Sequence, residues 1–579
     1  MNQNKYIRIF KIIGLVIGGV LLLVIIAALW LGRHYKSVIR EQLPQVVARA
    51  GKNKYKSSLQ DVSINILTRK VTLHGLHIWF DSTTQANRPG LSFEVHIPHL
   101  YINSINWVAL LQERRIRCGL VLADRPDIHL VQVKDTTAPK PAAAAAKNAF
   151  PEAVDLESIQ LKSAALVYEQ RKDTVTRYLL ERADIHLSQW HLSLVDQKKD
   201  TGRILGARQV MVNGSGITIA QQANSAYAYT LDSLYLDTRA DLLELRNFRI
   251  RTAIAKKEFY RQAGHQKDIF KVSFPEWRIS GFKLKELLYG KRIAADSMTI
   301  NKGAVDVYFS RLPPENPASK LGKFPNQLLL KLPLQLNVPY ITLTNGHASY
   351  TEVNEETELP GALHFDGLNG FIRNLTNDSS LIRNNPSCVV NLKGKFNKQS
   401  DIRGRFTFRL DDTLGTFAVD GNLKQVSDEQ ITDAAKALAK VAVSSITVQE
   451  LDMKISGDQY RAGGDIAFYY RDLALSVQKL DDKQKGKMKE RPLLSFLANK
   501  ILLYPANPMP GDEPRKVHTE IKRDLHRSFF NLIWKNIFEG IKTTAIRNKG
   551  LAAAVTKGKE QPEQKAKAKS NTKAQGKKK

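Results

Sequence analysis

Four histidines stand in two pairs of equal spacing, His74 with His77 and His96 with His99. Imidazoles at such spacing could hold a divalent metal or move protons. Either task needs ligands that converge. His74 and His77 flank Gly75 in what reads as a turn, and His96 and His99 flank Pro98 at a strand junction. All four therefore read as surface histidines. Asp411-Asp412 and Asp481-Asp482 are adjacent rather than facing carboxylates, which suits turns or solvent better than acid–base work. The chain carries no phosphate-cradling Gly-x-x-x-x-Gly-Lys loop, Gly-x-Ser-x-Gly elbow, His-Glu-x-x-His or Cys-x-x-Cys. Catalytic, metal and cofactor residues are accordingly expected to be none, and a membrane-anchored hydrolase finds neither nucleophile nor metal site.

The two cysteines, Cys118 and Cys388, cannot form a disulfide framework. They fit buried small apolar side chains, and one long-range bridge stays open as the alternative. Net charge is +31. From Arg547 to Lys579 there are 11 basic and two acidic residues, so the tail alone holds about +9. Its Lys, Ala, Gln, Gly and Ser composition cannot bury a core. Solvation and attraction to a membrane surface both fit it; nucleic acid is not the expected partner.

These residues must be carried by elements, and the first is an uncharged run of 20 residues from Ile12 through Leu21 to Leu31. At about 1.5 Å per residue it matches the roughly 30 Å hydrocarbon core of a bilayer. Lys11 and Arg33 close it, and Trp30 and Tyr35 suit the headgroup level. A cleaved signal would have a shorter apolar region and a small-residue cleavage site. The expectation is an uncleaved transmembrane anchor. Lys5, Arg8 and Lys11 before it are outnumbered by Arg33, Lys36, Arg40, Arg49 and Lys52 after it, so flanking charge leaves its orientation open.

Beyond the anchor the chain reads mainly as strand. Leu59–Ile66, Val71–Leu73, Leu76–Ile78, Ile128–Leu130, Ile159–Leu161, Phe406–Leu410 and Leu473–Val477 alternate apolar with polar residues. His74-Gly75, Asn345-Gly346 and Asp366-Gly367 read as turns between such runs. Thr136–Pro151, the segment from Arg311 to Pro317, and Asp481–Arg491 read as loops, and Asp428–Ala442 as a helix with Ile431, Ala435, Leu438 and Ala442 on one stripe.

An internal repeat organises these runs. Leu59, Val62 and Ile64 correspond to Leu231, Leu234 and Leu236, 172 residues on. Pro98, Ile102, Leu110, Leu111 and Ile116 correspond to Pro275, Ile279, Leu287, Leu288 and Ile293 at an offset of 177. Val154, Ile159, Leu161 and Tyr168 correspond to Leu336, Ile341, Leu343 and Tyr350 at 182. Three collinear blocks with slowly rising offsets predict a duplication. Each copy reads as strand, strand, short helix, strand, strand, with Ser104 capping a helix that carries Trp107, Val108, Leu110 and Leu111. Ser273 and Glu276 replace His96 and His99 in the second copy, a further reason to read no metal site there.

The most amphipathic segment is Asp524–Lys542. At about 100° per residue, Ser528, Asn531, Lys535, Glu539 and Lys542 gather on one face. Phe529, Phe530, Ile533, Trp534, Ile537, Phe538 and Ile541 cover much of the remainder. Two readings stay open: an interfacial or partner-contacting helix, and a helix that closes the end of a β-core.

The anchor followed by Leu59-Gln-Asp-Val-Ser-Ile and Lys70-Val-Thr-Leu-His-Gly-Leu-His-Ile resembles the opening of the AsmA-like, TamB-related family of bacterial envelope proteins. Ile97-Pro-His-Leu-Tyr-Ile through Leu110-Leu111, Ile116 and Arg125-Pro-Asp-Ile is similar to its strand-helix-strand segment. Gly415-Thr-Phe-Ala-Val-Asp-Gly-Asn-Leu and Gly464-Asp-Ile-Ala-Phe-Tyr-Tyr-Arg-Asp-Leu are similar to that family's C-terminal domain. Ser528-Phe-Phe-Asn-Leu-Ile-Trp-Lys resembles the closing helix of its Bacteroidota-type members. The Lys-rich tail is no hallmark of the family. The resemblance implies a bacterial inner-membrane anchor with the body in the periplasm. It also implies an elongated, curled antiparallel β-sheet groove for phospholipid acyl chains, supporting outer-membrane biogenesis. Roughly 25–30 strands at about 4.8 Å would make such a groove on the order of 120–145 Å long.

The expected division is then a cytoplasmic N-terminus (1–11), the anchor (12–32), a first β-rich copy (33–230), a second (231–400), a C-terminal β region (401–510), an amphipathic helix (511–546) and a disordered basic tail (547–579). The alternative function is a membrane-anchored scaffold or assembly factor for outer-membrane proteins, engaged through sheet edges or the C-terminal helix. It would need no groove.

Overall fold

The computed structural model describes residues 35–51, 53–65, 67–82, 90–133, 152–171, 175–193, 202–222, 225–355, 358–431, 441–480, 488–490 and 502–547. The anchor expected over 12–32, the loop over Thr136–Pro151 and the tail beyond Arg547 lie outside these residues. Among the described residues no helix is long and apolar enough to cross a membrane.

The chain forms two compact units, one of residues up to 254 with 272–301, the other of 255–271 with residues from 302 onward. These boundaries differ from the breaks expected at 230/231 and 400/401. The described residues are mainly β, with 24 strands and few helices.

The first unit opens with helix α1 (Tyr35–Ala50). Its strands are β1 (Tyr55–Ser58), β2 (Asp61–Asn65), β3 (Lys70–Phe80), β4 (Leu91–Asn103), β5 (Arg115–Asp124), β6 (Asp127–Val133) and β7 (Ala153–Arg171). Then come β8 (Val175–Ser193), β9 (Gln209–Gln222), β10 (Tyr227–Asp237), β11 (Leu242–Thr252), β12 (Ile269–Ser280), β13 (Arg292–Ala294) and β14 (Ser297–Asn301). Most neighbours in sequence are neighbours in the sheet and run antiparallel, but β1 and β2 both pair with β3, and β12 pairs with β14. β5 and β6 share a lane, both antiparallel to β4 and both parallel to β7.

The second unit holds β15 (Ala304–Ser310), β16 (Gln335–Val353), β17 (Pro360–Thr376), β18 (Ser387–Phe396) and β19 (Ser400–Arg409). It continues through β20 (Phe417–Ser427), β21 (Val441–Gly457), β22 (Arg461–Leu480), β23 (Met488–Glu490) and β24 (Lys516–Lys522). Here β15 runs parallel to β16, and the succession from β16 to β22 is antiparallel.

The repeat is visible in the pairing itself. Asp127 pairs with Ala165 in the parallel β6–β7 ladder, and Ala304 pairs with His347 in the parallel β15–β16 ladder, at offsets of 177 and 182. Residues with left-handed backbone recur in the same way. Arg69, Gly75, Arg114, Arg125 and Ser163 match Asp241, Asn247, Lys291, Lys302 and Asn345. Left-handed φ is costly for most side chains, so its recurrence at equivalent positions marks a shared backbone path and not a coincidence of composition.

Several expectations are corrected. His74-Gly75, Asn345-Gly346 and Asp366-Gly367 are not turns: they lie inside β3, β16 and β17. Gly75, Asn345 and Gly367 take left-handed φ there, and the register shifts at the latter two sites, as in β-bulges that let long strands twist. The short helix α2 (Trp107–Glu113) is capped by Asn106, whose side chain accepts from the Val108 and Ala109 amides; Ser104 is a left-handed residue before it. The second copy has a π-helical turn at Glu286–Gly290 in that place. Residues 428–431 are helical, but Ala442 already lies in β21. Lys516–Lys522, expected within the amphipathic segment, is a strand paired with β22.

Candidate functional site

Alternation along a strand sends every second side chain to one face, and paired residues share that face. Following the pairs in the first unit yields one unbroken apolar row. It runs Val62, Leu73, Leu100, Ala123, Leu161, Ile185, Val212, Leu236, Leu243, Ile279, Met298 across eleven strands from β2 to β14. At about 4.8 Å per strand the row is about 48 Å long. A parallel row runs Ile78, Val95, Ile128, Leu166, Leu180, Ile217, Leu231. The opposite face is polar: Tyr235, Glu244, Arg278 and Thr299 form one line across it, with Arg278 donating to Glu244.

The cover over the apolar face is uneven. Ile39, Leu43 and Val47 of α1, which lies on β1 and β2, are fully buried in one core cluster with residues of β1 to β5 and β7 to β9. Beneath them Val62 and Leu73 are 0% exposed. Farther along, Ile185, Leu166, Leu180, Ile217, Leu243 and Leu245 are only half-buried and stand outside that core cluster. Phe248, Phe274 and Trp277 gather on this stretch with ring centroids 5.5–6.1 Å apart, and are half-buried too. A sheet with one apolar face must lay it against something. Among the described residues of this unit, no helix longer than the short ones supplies that cover past α1.

The second unit repeats the arrangement. Its row runs Ile341, Ile372, Val390, Phe406, Val419, Ile455 across β16–β21 and continues as Gly464 and Thr519. Within this unit come helices α3 (Lys256–Ala263), α4 (Pro325–Leu330), α5 (Ser379–Asn384) and the long C-terminal helix α6 (Phe529–Ala545). Ser528 caps α6, its Oγ accepting from the Asn531 amide. One face of α6 packs on β21, β22 and β24 through Phe529, Leu532, Ile533, Asn536, Gly540 and Thr544. Thr519 Oγ1 donates to Asn536 Oδ1 at 3.1 Å, and a Cβ on Gly540 would sit 2.5 Å from the Cβ of Ile466. Away from α6, Ile372, Val390 and Phe406 are half-buried.

The seven predicted contact residues of α6 are thereby split. Phe529 and Ile533 belong to the core, Phe529 lying among Phe324, Phe408 and Phe417. Ile537 and Ile541 pack partly against that core. Phe530, Trp534 and Phe538 point outward at 64%, 46% and 43% exposure. Sequence reasoning missed Asn536, Gly540 and Thr544 as the packing stripe; their spacing of four is shared by Phe530, Trp534 and Phe538, so it did not single them out.

The titratable clusters are structural. The structure brings His74 and His99 together across β3 and β4, Nδ1 to Nδ1 at 3.1 Å, while His77 hydrogen-bonds Glu94 at 2.8 Å. Among the described residues no group of three or more His, Cys, Asp or Glu could hold a metal. An open cleft of about 290 Å³ lies among Trp79, Phe93, Glu94, His129 and Arg171. Arg171 is already engaged by the buried Glu169, which also takes Arg177, at 2.7 and 2.6 Å. Those two guanidiniums, Arg177 first, hold the Glu169 carboxyl down at about 2. Asp412 accepts from the Gly415 and Thr416 amides, a turn role. Cys118 and Cys388 are free thiols buried in separate cores, where burial pushes them up to about 12 and about 11.

Compared with known proteins, the chain matches no protein-family model, and no curated protein matches it.

Proposed function

We propose that this protein binds the acyl chains of phospholipids along the uncovered part of its apolar sheet face. It conducts them between the inner and outer membranes of a bacterial envelope and so supports outer-membrane biogenesis. The observation that carries this reading is the eleven-strand apolar row, in which Ile185, Val212, Leu243 and Met298 are only half-buried beyond the stretch under α1, interspersed with buried Leu236 and Ile279. Each methylene withdrawn from water is worth about 0.8 kcal/mol, so an extended apolar row is a favourable resting place for an acyl chain. Contiguous apolar surface of this extent on a folded protein marks a binding site more often than chance. The apolar run Ile12–Leu31 would hold the chain in the inner membrane, with the body in the periplasm as the resemblance to AsmA-like proteins implies. The work asked of the protein is shielding and positioning, and no catalytic step is assigned to it.

The test is lipid analysis of the purified full chain. Phospholipid should co-purify, and a triple replacement of Ile185, Ile217 and Leu243 by Asp should remove most of it while circular dichroism still shows a folded β-protein. Phospholipid retained unchanged by that variant, or absent from the wild type, would overturn the reading. Protein partners recovered in its place would favour a scaffold or assembly factor.

A further inference from the structure

We infer that the outward stripe of α6 docks on the surface of an anionic lipid bilayer. This names a partner for a face that the acyl-chain reading leaves unused, and it does not rest on that reading. Phe530, Trp534 and Phe538 stand at intervals of four, which on a helix of about 100° per residue confines them to an arc of about 80°. All three are exposed, and Trp534 and Phe538 lie 6.2 Å apart at their ring centroids. The opposite face is already committed to the sheet through Leu532, Asn536 and Gly540, so the helix cannot turn to bury them.

Charge chooses the occupant. Lys535 and Lys542 are exposed on the flank of the stripe, and Arg547 follows the helix. The helix has one carboxylate, Glu539, which is paired with Lys542 at 2.6 Å. The chain then continues into a tail that with Arg547 holds 11 basic residues against two acidic ones. Aromatic rings level with lysines suit the headgroup region, where the rings find a half-apolar layer and the ammonium groups meet anionic lipid. Size argues against a second copy of the chain. Three half-exposed aromatic side chains offer on the order of 300 Å², well short of the roughly 800 Å² per partner of a stable interface.

The experiment holds the full chain in phosphatidylcholine nanodiscs and measures flotation with added vesicles. Vesicles of phosphatidylcholine containing phosphatidylglycerol should bind, and those of phosphatidylcholine alone should bind at least about tenfold more weakly. The variant Phe530→Ser/Trp534→Ser/Phe538→Ser should lose about tenfold or more of the binding with the tail intact and the melting temperature unchanged. Equal binding by that variant would overturn the inference, leaving tail charge as the whole attraction. Vesicles ignored by a wild type that dimerises through the stripe would overturn it in favour of a second copy. Phospholipid co-purifying with the sheet should be the same in wild type and variant, which keeps this result separate from the acyl-chain reading.

Discussion

Two stretches of one apolar row behave differently. Val62 and Leu73 lie beneath α1 and are sealed from solvent, whereas Ile185 and Leu243, on the same face and the same line of pairing, are only partly buried. Their chemistry is alike; only their cover differs. The first stretch spends its apolar surface on stability and the second keeps it available. The second unit shows the same contrast on its own terms, with Val419 and Ile455 buried while Ile372 and Phe406 are only partly buried.

The sharpest way to break this comparison is to truncate one residue in each stretch. Leu73→Ala should cost about 3–4 kcal/mol, because it opens a cavity in a sealed core, while Leu243→Ala should cost about 1 kcal/mol. Denaturant titrations of the two variants would read the difference, and equal costs would erase the distinction. Next in size, Gly540→Leu should destabilise the second unit by about 2 kcal/mol, since the new side chain must push α6 off Ile466. Hydrogen exchange should then rise in β22 and β24 and stay unchanged in β2–β5.

A smaller effect concerns the ion pairs of Glu169 on β7. Glu169 sits at about 2 when folded, against about 4.3 for an unfolded glutamate. Its contribution is complete above about 4.3 and is lost as pH falls through about 2, because the unfolded chain takes up the proton first. Glu169→Gln should therefore cost about 1–2 kcal/mol at neutral pH and only a small part of that near pH 2, which thermal melts across that range would follow. Smallest of all, Phe530→Ser should move the melting midpoint negligibly, within about 0.5 kcal/mol, since its ring supports no core.

Much of this was legible in the chain. Alternation at Val71–Leu73 and Ile159–Leu161 is the apolar row seen along single strands, and the offsets of 172, 177 and 182 are those of the pairing. What misled was punctuation. Gly75, Asn345 and Gly367 signal left-handed backbone equally for a turn and for a bulge, and only pairing with a third strand tells them apart. The sides of α6 were illegible for a related reason. Apolar residues cover most of its circumference, so periodicity could not say that the small residue Gly540, rather than Trp534, faces the sheet. The uneven cover of the row was hidden too, because it depends on where a distant helix lies.

The most direct test places a photoreactive benzoylphenylalanine at Leu243 and, in a second protein, at Glu244, and identifies what each captures in membranes by mass spectrometry. Side chains of these neighbours point to opposite faces of β11. The account predicts phospholipid captured from position 243 and little from 244. Equal capture from both positions, or none from 243, would contradict it.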